Sequence, residues 1–341
     1  MLRWGVLGPG RISRSFLTGV AAAGDGRAVA VGSRDAGRAR AVADDFGVPR
    51  GYGSYGAVLA DPEVDAVYIG LPNGLHGEWS IAAAKAGKHV LCEKPLASDA
   101  AEAVAMVRAA DEYGVRLVEA FMYRFHPRTA RLIELVQDGA IGAVRSVSAS
   151  FGFVLDTAGD VRLNSGLAGG ALMDVGCYCV NAARAVADAA PTLVSAFAHW
   201  APSGVDLQLV GNLEYPDGMF GQINSDFGGH HNHSVRLIGS AGVIEMPESF
   251  VPPRNEPATL LLFRDGHTGH PEEFAFPPMN QYTAEADGFA RLVAAGPGPG
   301  AEPGRLGMPL TESVQNMATI DALMRSARSG RPEPVEVPTS G

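Results

Sequence analysis

A chain of 341 residues exceeds the roughly 250–300 at which a single hydrophobic core usually stops growing, so about two domains are expected. Hydrophobic residues at 46% against 19% charged exclude a disordered chain. With 27 basic and 37 acidic residues, a formal charge of -10, a sequence-independent binder of nucleic-acid backbones is excluded too, although a small anion in a local pocket is not.

Leu2 to Leu7 reads as a short buried strand ending at glycine. Ile12 to Ala23 follows with Ile12, Phe16, Leu17 and Val20 at helical spacing. A second strand over Ala28–Val31 and a second helix over Ala36–Phe46 come next. Strands over Asp65–Ile69 and His89–Cys92 flank a helix over Gly77–Ala86, and a helix over Ala100–Tyr113 leads into a strand over Val115–Ala120. Alternation of this kind requires parallel pairing through right-handed crossovers, hence a doubly wound α/β sheet of the Rossmann type.

After about residue 122 the rhythm changes. Strand-like stretches over Ala143–Val154, Thr192–Trp200, Asp206–Glu214, Met219–Asp226, Ser234–Gly239 and Thr259–Phe263 arrive mostly without intervening helices. They predict an α+β domain with a large, mostly antiparallel open sheet, and a division into residues 1–122 and 123–341. The stretch Gly296 to Gly307 has the composition of a surface loop. Thr311–Ala327 reads as a closing helix with Val314, Met317, Ile320, Leu323 and Met324 on one face.

Residues 1–10 lack a signal peptide's charged-then-apolar order, and no run of about 18 uncharged apolar residues is present to span a bilayer. Three cysteines, Cys92, Cys177 and Cys179, are too few and too uneven for a disulfide scaffold, so a reduced, cytoplasmic protein is expected. The pair within Cys177-Tyr178-Cys179 lacks the spacing of a redox or zinc motif and reads as buried thiols. His230-His231-Asn232-His233 lacks acidic or cysteine companions and reads as a solvated loop between strands; no metal is expected.

Two features carry chemistry. Gly8-Pro9-Gly10-Arg11-Ile12-Ser13 is G-x-G-x-x-G with Ser13 in the third glycine's place, set between the first strand and the first helix. Backbone N–H groups from Gly8 and Gly10 to Arg11 and Ile12 would there receive a pyrophosphate at the helix start. The second strand ends Val31-Gly32-Ser33-Arg34, where an NAD site would place a carboxylate for the ribose hydroxyls. A carboxylate repels a 2′-phosphate, whereas Ser33, Arg34 and, one turn on, Arg38 can bond it, so NADP is the expected cofactor. The alternative is that Ser33 or Asp35 caps the next helix while the arginines are solvated.

The glycine turn, Leu71-Pro72-Asn73-Gly74-Leu75-His76 and Glu93-Lys94-Pro95, at this spacing, resemble the Gfo/Idh/MocA family of oxidoreductases over essentially the whole chain. Glu119 to Pro127, Gly169 to Tyr178 and Pro309 to Met317 are similar to the branch that contains glucose–fructose oxidoreductase, dimeric dihydrodiol dehydrogenase and NADP-dependent D-xylose dehydrogenases. The resemblance implies hydride transfer between nicotinamide C4 and a sugar or polyol carbon, aldose 1-dehydrogenase-like, with Tyr178 as acid/base, Lys94 assisting it and Asp174 orienting the sugar.

It further implies that Leu71, Pro72, Asn73 and His76 pass the nicotinamide ribose and that Glu93 and Lys94 lie beside the cofactor. Pro95 would follow a cis bond, and Arg11 would lie across the adenine or on the 2′-phosphate. Arg124, His126 and Arg162 are the implied substrate-side residues. The rival substrates are a trans-dihydrodiol and a keto- or anhydro-sugar; a regulator that senses NADP without turnover is the rival of another class. One face of the antiparallel sheet is left for a second copy of the chain, so a homodimer is expected.

Overall fold

The computed structural model describes residues 1–157, 159–264, 269–296 and 308–338. From residue 297 on, the stretch read as a surface loop lies outside them. Contacts divide the described residues into two compact units, Met1–His126 with Asn280–Ser313, and Pro127–Met279 with Val314–Pro338. The return of Asn280–Ser313 to the first unit is not part of a linear division at residue 122.

The first unit begins β1 (Leu2–Leu7), α1 (Arg11–Ala21), β2 (Gly26–Gly32), α2 (Ala36–Asp45), β3 (Arg50–Tyr52) and α3 (Tyr55–Leu59). It continues β4 (Ala66–Ile69), α4 (His76–Lys85), β5 (His89–Glu93), α5 (Ala100–Glu112) and β6 (Leu117–Ala120). The six strands pair in parallel in the order β3-β2-β1-β4-β5-β6. Strand order reverses at β1, whose carboxyl-terminal Leu7 pairs with Gly32 on one side and Ile69 on the other. That reversal is where doubly wound sheets bind ligands, beyond the carboxyl ends of the strands. β3 and α3, with three and five residues, are too short to carry a period and were not foreseen.

The second unit runs α6 (Pro127–Gln137), β7 (Val144–Gly152), α7 (Cys177–Ala187), β8 (Leu193–Trp200), β9 (Asp206–Glu214) and β10 (Phe220–Asp226). β11 (Asn232–Gly239), β12 (Gly242–Pro247), β13 (Ala258–Arg264) and β14 (Glu272–Phe276) follow. The chain then forms α8 (Gln281–Ala294), which belongs to the first unit, α9 (Leu310–Ser329) and β15 (Glu333–Pro334). The nine-stranded sheet has the order β14-β13-β12-β11-β7-β10-β9-β8-β15 and is antiparallel except for β7 against β10. Period-2 burial follows: Val235 and Leu237 of β11 are buried, whereas Phe197, Val210 and Phe220 are exposed at 73%, 42% and 55%.

In the first unit the core is aromatic. Trp4 meets Phe16 edge-on at 5.1 Å and Phe289 of α8 at 5.1 Å, and Phe16 stacks on Tyr68 at 3.9 Å. These rings anchor α8 to the sheet, and each fully buried side chain of this size contributes about 1.5–3 kcal/mol. Among the described residues no helix is long and apolar enough to cross a membrane.

Candidate active site

At the end of β1 the chain turns through Gly8 at φ +97°, a region that favours glycine, and a Cβ there would lie 2.9 Å from both Gly70 O and Leu71 Cδ2. Gly10 caps α1, and on its side an added Cβ would meet only Gly70 O, at 3.9 Å. The first N–H groups of α1, from Arg11 and Ile12 on, have no carbonyl within the helix, and its first turn carries no acidic residue. That is an anion cradle. Ser13 is fully buried and packs so tightly on Gly70 that a Cβ on the latter would collide with its hydroxyl, so serine performs the third glycine's close packing.

Beyond β2, Ser33 is buried and its Oγ accepts the N–H of Asp35 at 3.2 Å. Asp35 caps α2 by accepting the N–H of Arg38 at 3.0 Å. The capping role is therefore Asp35's, and it spends that carboxylate on the helix start. Arg34 and Arg38 are exposed, four residues apart. A hydroxyl, two guanidinium groups and a helix N-terminus fit a 2′-phosphate better than a ribose diol.

Lys94, half-buried, stands just past β5, and the Lys94–Pro95 peptide bond is cis. Three buried titratable side chains hold this turn. Glu93 accepts Lys94 N–H through Oε2 at 3.3 Å and the Tyr68 hydroxyl through Oε1. Glu119 of β6 accepts Leu96 N–H at 2.9 Å. His76 places Nδ1 at 2.9 Å from Pro95 O and Nε2 at 2.9 Å from Leu71 O. Burial pushes Glu119 up to about 7 and pulls His76 down. Glu285 of α8 has no exposed surface and no partner for either carboxyl oxygen; burial, then the charge of Glu93, raises its pKa well above the usual range.

Leu71 is 8% exposed, and Pro72 and Asn73 are half-buried, on the turn after β4. His76, expected beside the nicotinamide ribose, is wholly buried with both ring nitrogens on backbone carbonyls and ties the Leu71 turn to the Pro95 turn. Arg124 and His126, the residues expected on the substrate side, close the first segment of the first unit. Both are buried, and Arg124 Nη1 is 3.3 Å from Glu312 Oε2, so its charge is already matched.

In the second unit, Leu172–Gly176 forms a π-helical turn that runs straight into α7. Wide turns of this kind are common at functional sites. Asp174, half-buried, accepts Arg162 Nε–H at 2.6 Å, and Arg162 Nη1 is 3.3 Å from Asp160. Burial lowers the Arg162 pKa, but Asp174 and Asp160 outweigh it and hold the guanidinium charged. Gly170, at φ +123°, donates its N–H to Arg162 O at 2.8 Å, and its missing Cβ leaves room for the carboxylate of Asp206, which also accepts Leu172 N–H at 2.6 Å.

Tyr178 is 4% exposed, its ring centroid 5.4 Å from Phe151 and 5.2 Å from Phe250. His233 adjoins Phe151 at 5.1 Å and His231 at 5.0 Å. The histidine run is thus not wholly a solvated loop: His233 lies in β11, buried, and burial pulls it down to about 4, with His231 and Arg128 adding to the effect. Among the described residues no group of three His, Cys, Asp or Glu side chains could hold a metal. All three cysteines are free and buried, and burial raises the thiols of Cys92 and Cys179.

The structure brings together Arg162 with Asp174, and Lys94 with Glu93, His76 and Glu119. Asp206, Glu119, Glu285 and Phe250 were missed by sequence reasoning. The one signal for Asp206 was the Gly169-Gly170 doublet, which marks a close approach by something. Glu119 opens the Glu119 to Pro127 stretch that resembles the family's branch, although no role was read for it, and nothing local marks Glu285 or Phe250.

Residues 2–121 match the GFO/IDH/MocA oxidoreductase family with an NAD-binding Rossmann fold, and residues 129–245 match the GFO/IDH/MocA C-terminal domain. The chain is 41% identical over 330 residues to an NADP-dependent D-xylose 1-dehydrogenase of Haloferax volcanii, covering 96% of this chain and 98% of that one. It is 32% identical over 292 residues to a trans-1,2-dihydrobenzene-1,2-diol dehydrogenase of Xenopus laevis, covering 83% and 87%. A 3-ketoreductase from Actinomadura kijaniata, solved in complex with NADP and TDP-benzene, superposes with a TM-score of 0.86 at 31% identity over 95% and 97% of the two chains.

Proposed function

The chain belongs to the GFO/IDH/MocA oxidoreductase family, and on that premise we propose that it is an NADP-dependent oxidoreductase acting on a sugar or polyol, in type an aldose 1-dehydrogenase. The observation that carries this reading is the full-length likeness to an NADP-dependent D-xylose 1-dehydrogenase, and Lys94, Asp174 and Tyr178 stand in the stretches that resemble the family. The first unit carries the cofactor and the second the substrate. Gly8 gives its N–H to Gly32 O and shapes the turn, so the backbone N–H groups at Gly10, Arg11 and Ile12 hold the pyrophosphate, Ser33, Arg34 and Arg38 the 2′-phosphate, and Leu71, Pro72, Asn73 and Glu93 border the nicotinamide end.

NADP, when bound, supplies hydride chemistry at nicotinamide C4. The protein supplies the proton chemistry. Tyr178 removes the hydroxyl proton during oxidation and returns it during reduction. A phenol's ordinary pKa is about 10, and a neighbouring ammonium, the part assigned to Lys94, favours phenolate. Asp174, oriented by Arg162, receives the sugar hydroxyls.

Initial rates with NADP and a panel of aldoses, inositols, cyclic diols and keto-sugars test the reading. D-xylose-type aldoses are expected to be oxidised fastest. Lys94→Met and Tyr178→Phe are expected to lose most of kcat while still binding NADP; near-wild-type turnover in Tyr178→Phe removes that residue from proton transfer. Preference for a cyclic diol or a keto-sugar would move the assignment to the dihydrodiol or ketoreductase reading. Tight NADP binding without turnover of any compound would make the chain a sensor.

The exposed side chains Phe197, Val210 and Phe220 on the open face of the nine-stranded sheet suit a second copy of the chain. Sedimentation at twice the monomer mass is the expected result. Free, buried thiols suit a reducing compartment, the cytoplasm.

A further inference from the structure

Asp206 and Arg162 both hold the segment from Gly170 to Tyr178 from outside it. Asp206, the first residue of β9, has no exposed surface and accepts Leu172 N–H through Oδ2 at 2.6 Å. Its Oδ1 has no hydrogen-bond partner and faces Gly170, which accommodates it only because no Cβ intervenes. Gly170 in turn gives its N–H to Arg162 O at 2.8 Å and receives Asp174 N–H at 2.9 Å on its own carbonyl. Arg162 Nε closes the circuit on Asp174 Oδ2.

We propose that Asp206 is a positioning residue for the reaction: its carboxylate sets the phase of the Leu172–Gly176 turn, and through that turn the direction of Asp174 and Tyr178. This rests on the reading of Tyr178 and Asp174 given above. A carboxylate at the start of a helical segment acts both as acceptor and as counter-charge to the exposed N–H groups. Stability alone does not explain its presence, because a buried carboxylate with an unpartnered oxygen costs more than a polar or apolar replacement of similar size. Burial pushes Asp206 up to about 6, opposed by the N–H groups of Leu172, Ala171 and Asp206 itself and by Arg328. Arg328, on α9, is the charged side chain that faces it, held over the Trp200 ring at 4.4 Å. Above that pH the charged cap is in place; below it, a weaker neutral acceptor remains.

The test is Asp206→Asn in the full chain, assayed with NADP and the aldose of the panel that is turned over fastest. Replacing a charge-assisted bond by a neutral one is expected to lower kcat at pH 8 about tenfold, with KM for NADP unchanged. The wild type is expected to show an acid limb near pH 6, and the variant, with no proton to take up there, is expected to lack it. Amide hydrogen exchange, which needs no substrate, should quicken over Leu172–Tyr178 and nowhere in the first unit. Unchanged kcat, an acid limb that persists, or unchanged exchange each overturns the proposal. Tyr178→Phe run alongside separates the two claims. If it stays active, the reading of Tyr178 fails whatever Asp206 does; if it is inactive while Asp206→Asn behaves as wild type, the positioning role alone fails.

Discussion

Arg162 donates from Nε to Asp174 Oδ2 over 2.6 Å, joining residues twelve apart in the chain. With Asp160 on its Nη1 at 3.3 Å, the guanidinium serves two carboxylates. Such a group is satisfied in charge and suits hydroxyls better than phosphates. Arg162→Met frees Asp174 to turn, and loss of one charge-assisted bond, about 1.5–3 kcal/mol, should lower kcat/KM for the sugar about 10–100-fold. Rates measured against sugar concentration at saturating NADP check this. A rise in the KM for NADP instead would place the pair on the cofactor's side.

Cofactor choice follows from the end of β2. Arg34→Ala should weaken use of NADP about 10–100-fold in kcat/KM, one charged contact's worth, and leave NAD use where it was. Ser33→Asp should go further and invert the preference by repelling the 2′-phosphate. Wild-type protein that prefers NAD at equal concentrations would contradict the assignment of Ser33, Arg34 and Arg38.

Glu119 makes stability depend on pH. Its native-state pKa stands at about 7 against an ordinary 4.5, so the folded chain holds this proton more tightly than the unfolded one. The resulting stability is complete below about 4.5 and is lost as pH rises through 7, a change of roughly 3 kcal/mol. Glu119→Gln keeps an acceptor for Leu96 N–H and removes the titration. Melting curves should show the variant gaining on the wild type between pH 5 and pH 8, and a constant gap would rule out Glu119 as the source.

Glu285 is a buried carboxyl whose two oxygens have no partner, with the charge of Glu93 near it. Replacing such a group by an apolar one of similar length commonly stabilises by about 1–4 kcal/mol. Glu285→Met should therefore raise the urea midpoint. Its raised pKa means the carboxyl's penalty grows as pH climbs past the ordinary carboxylate range, so the gain should be larger at pH 8 than at pH 5. A lowered midpoint at pH 8 would mean that Glu285 has a stabilising partner in solution.

The parallel sheet was legible because each strand–helix step carries its own apolar period, and β1 falls on the residues read from sequence; in the antiparallel sheet β9 does so too. α6 and α8 were not read. α8 buries Gln281 and Glu285 beside Tyr282 and Phe289, so polar residues sit on its inward face and blur the period. β14 lies at the sheet edge with its residues exposed or half-buried, and leaves no alternation to find. In the candidate site, Gly8 was readable by its turn, whereas Lys94 was singled out by the resemblance carried by Glu93-Lys94-Pro95 rather than by its place after a strand. Residues that act at a distance were not readable, since Asp206 and Glu119 owe their meaning to a backbone N–H more than twenty residues away.

The π-helical turn at Leu172–Gly176 also constrains how this segment can change over evolutionary time. In an α-helix each residue advances about 100° around the axis. Removing one residue between Gly170 and Tyr178 would let the turn relax to α geometry and rotate everything before the cut by about that angle relative to Tyr178. A substitution at Val175 by a side chain of similar volume would be absorbed by packing. A single-residue insertion or deletion would leave every named side chain in place in the alignment and still disconnect Arg162 and Asp206 from the helix they hold. Spacing in this stretch is therefore as heritable a trait as composition, and gaps there should be far rarer than replacements.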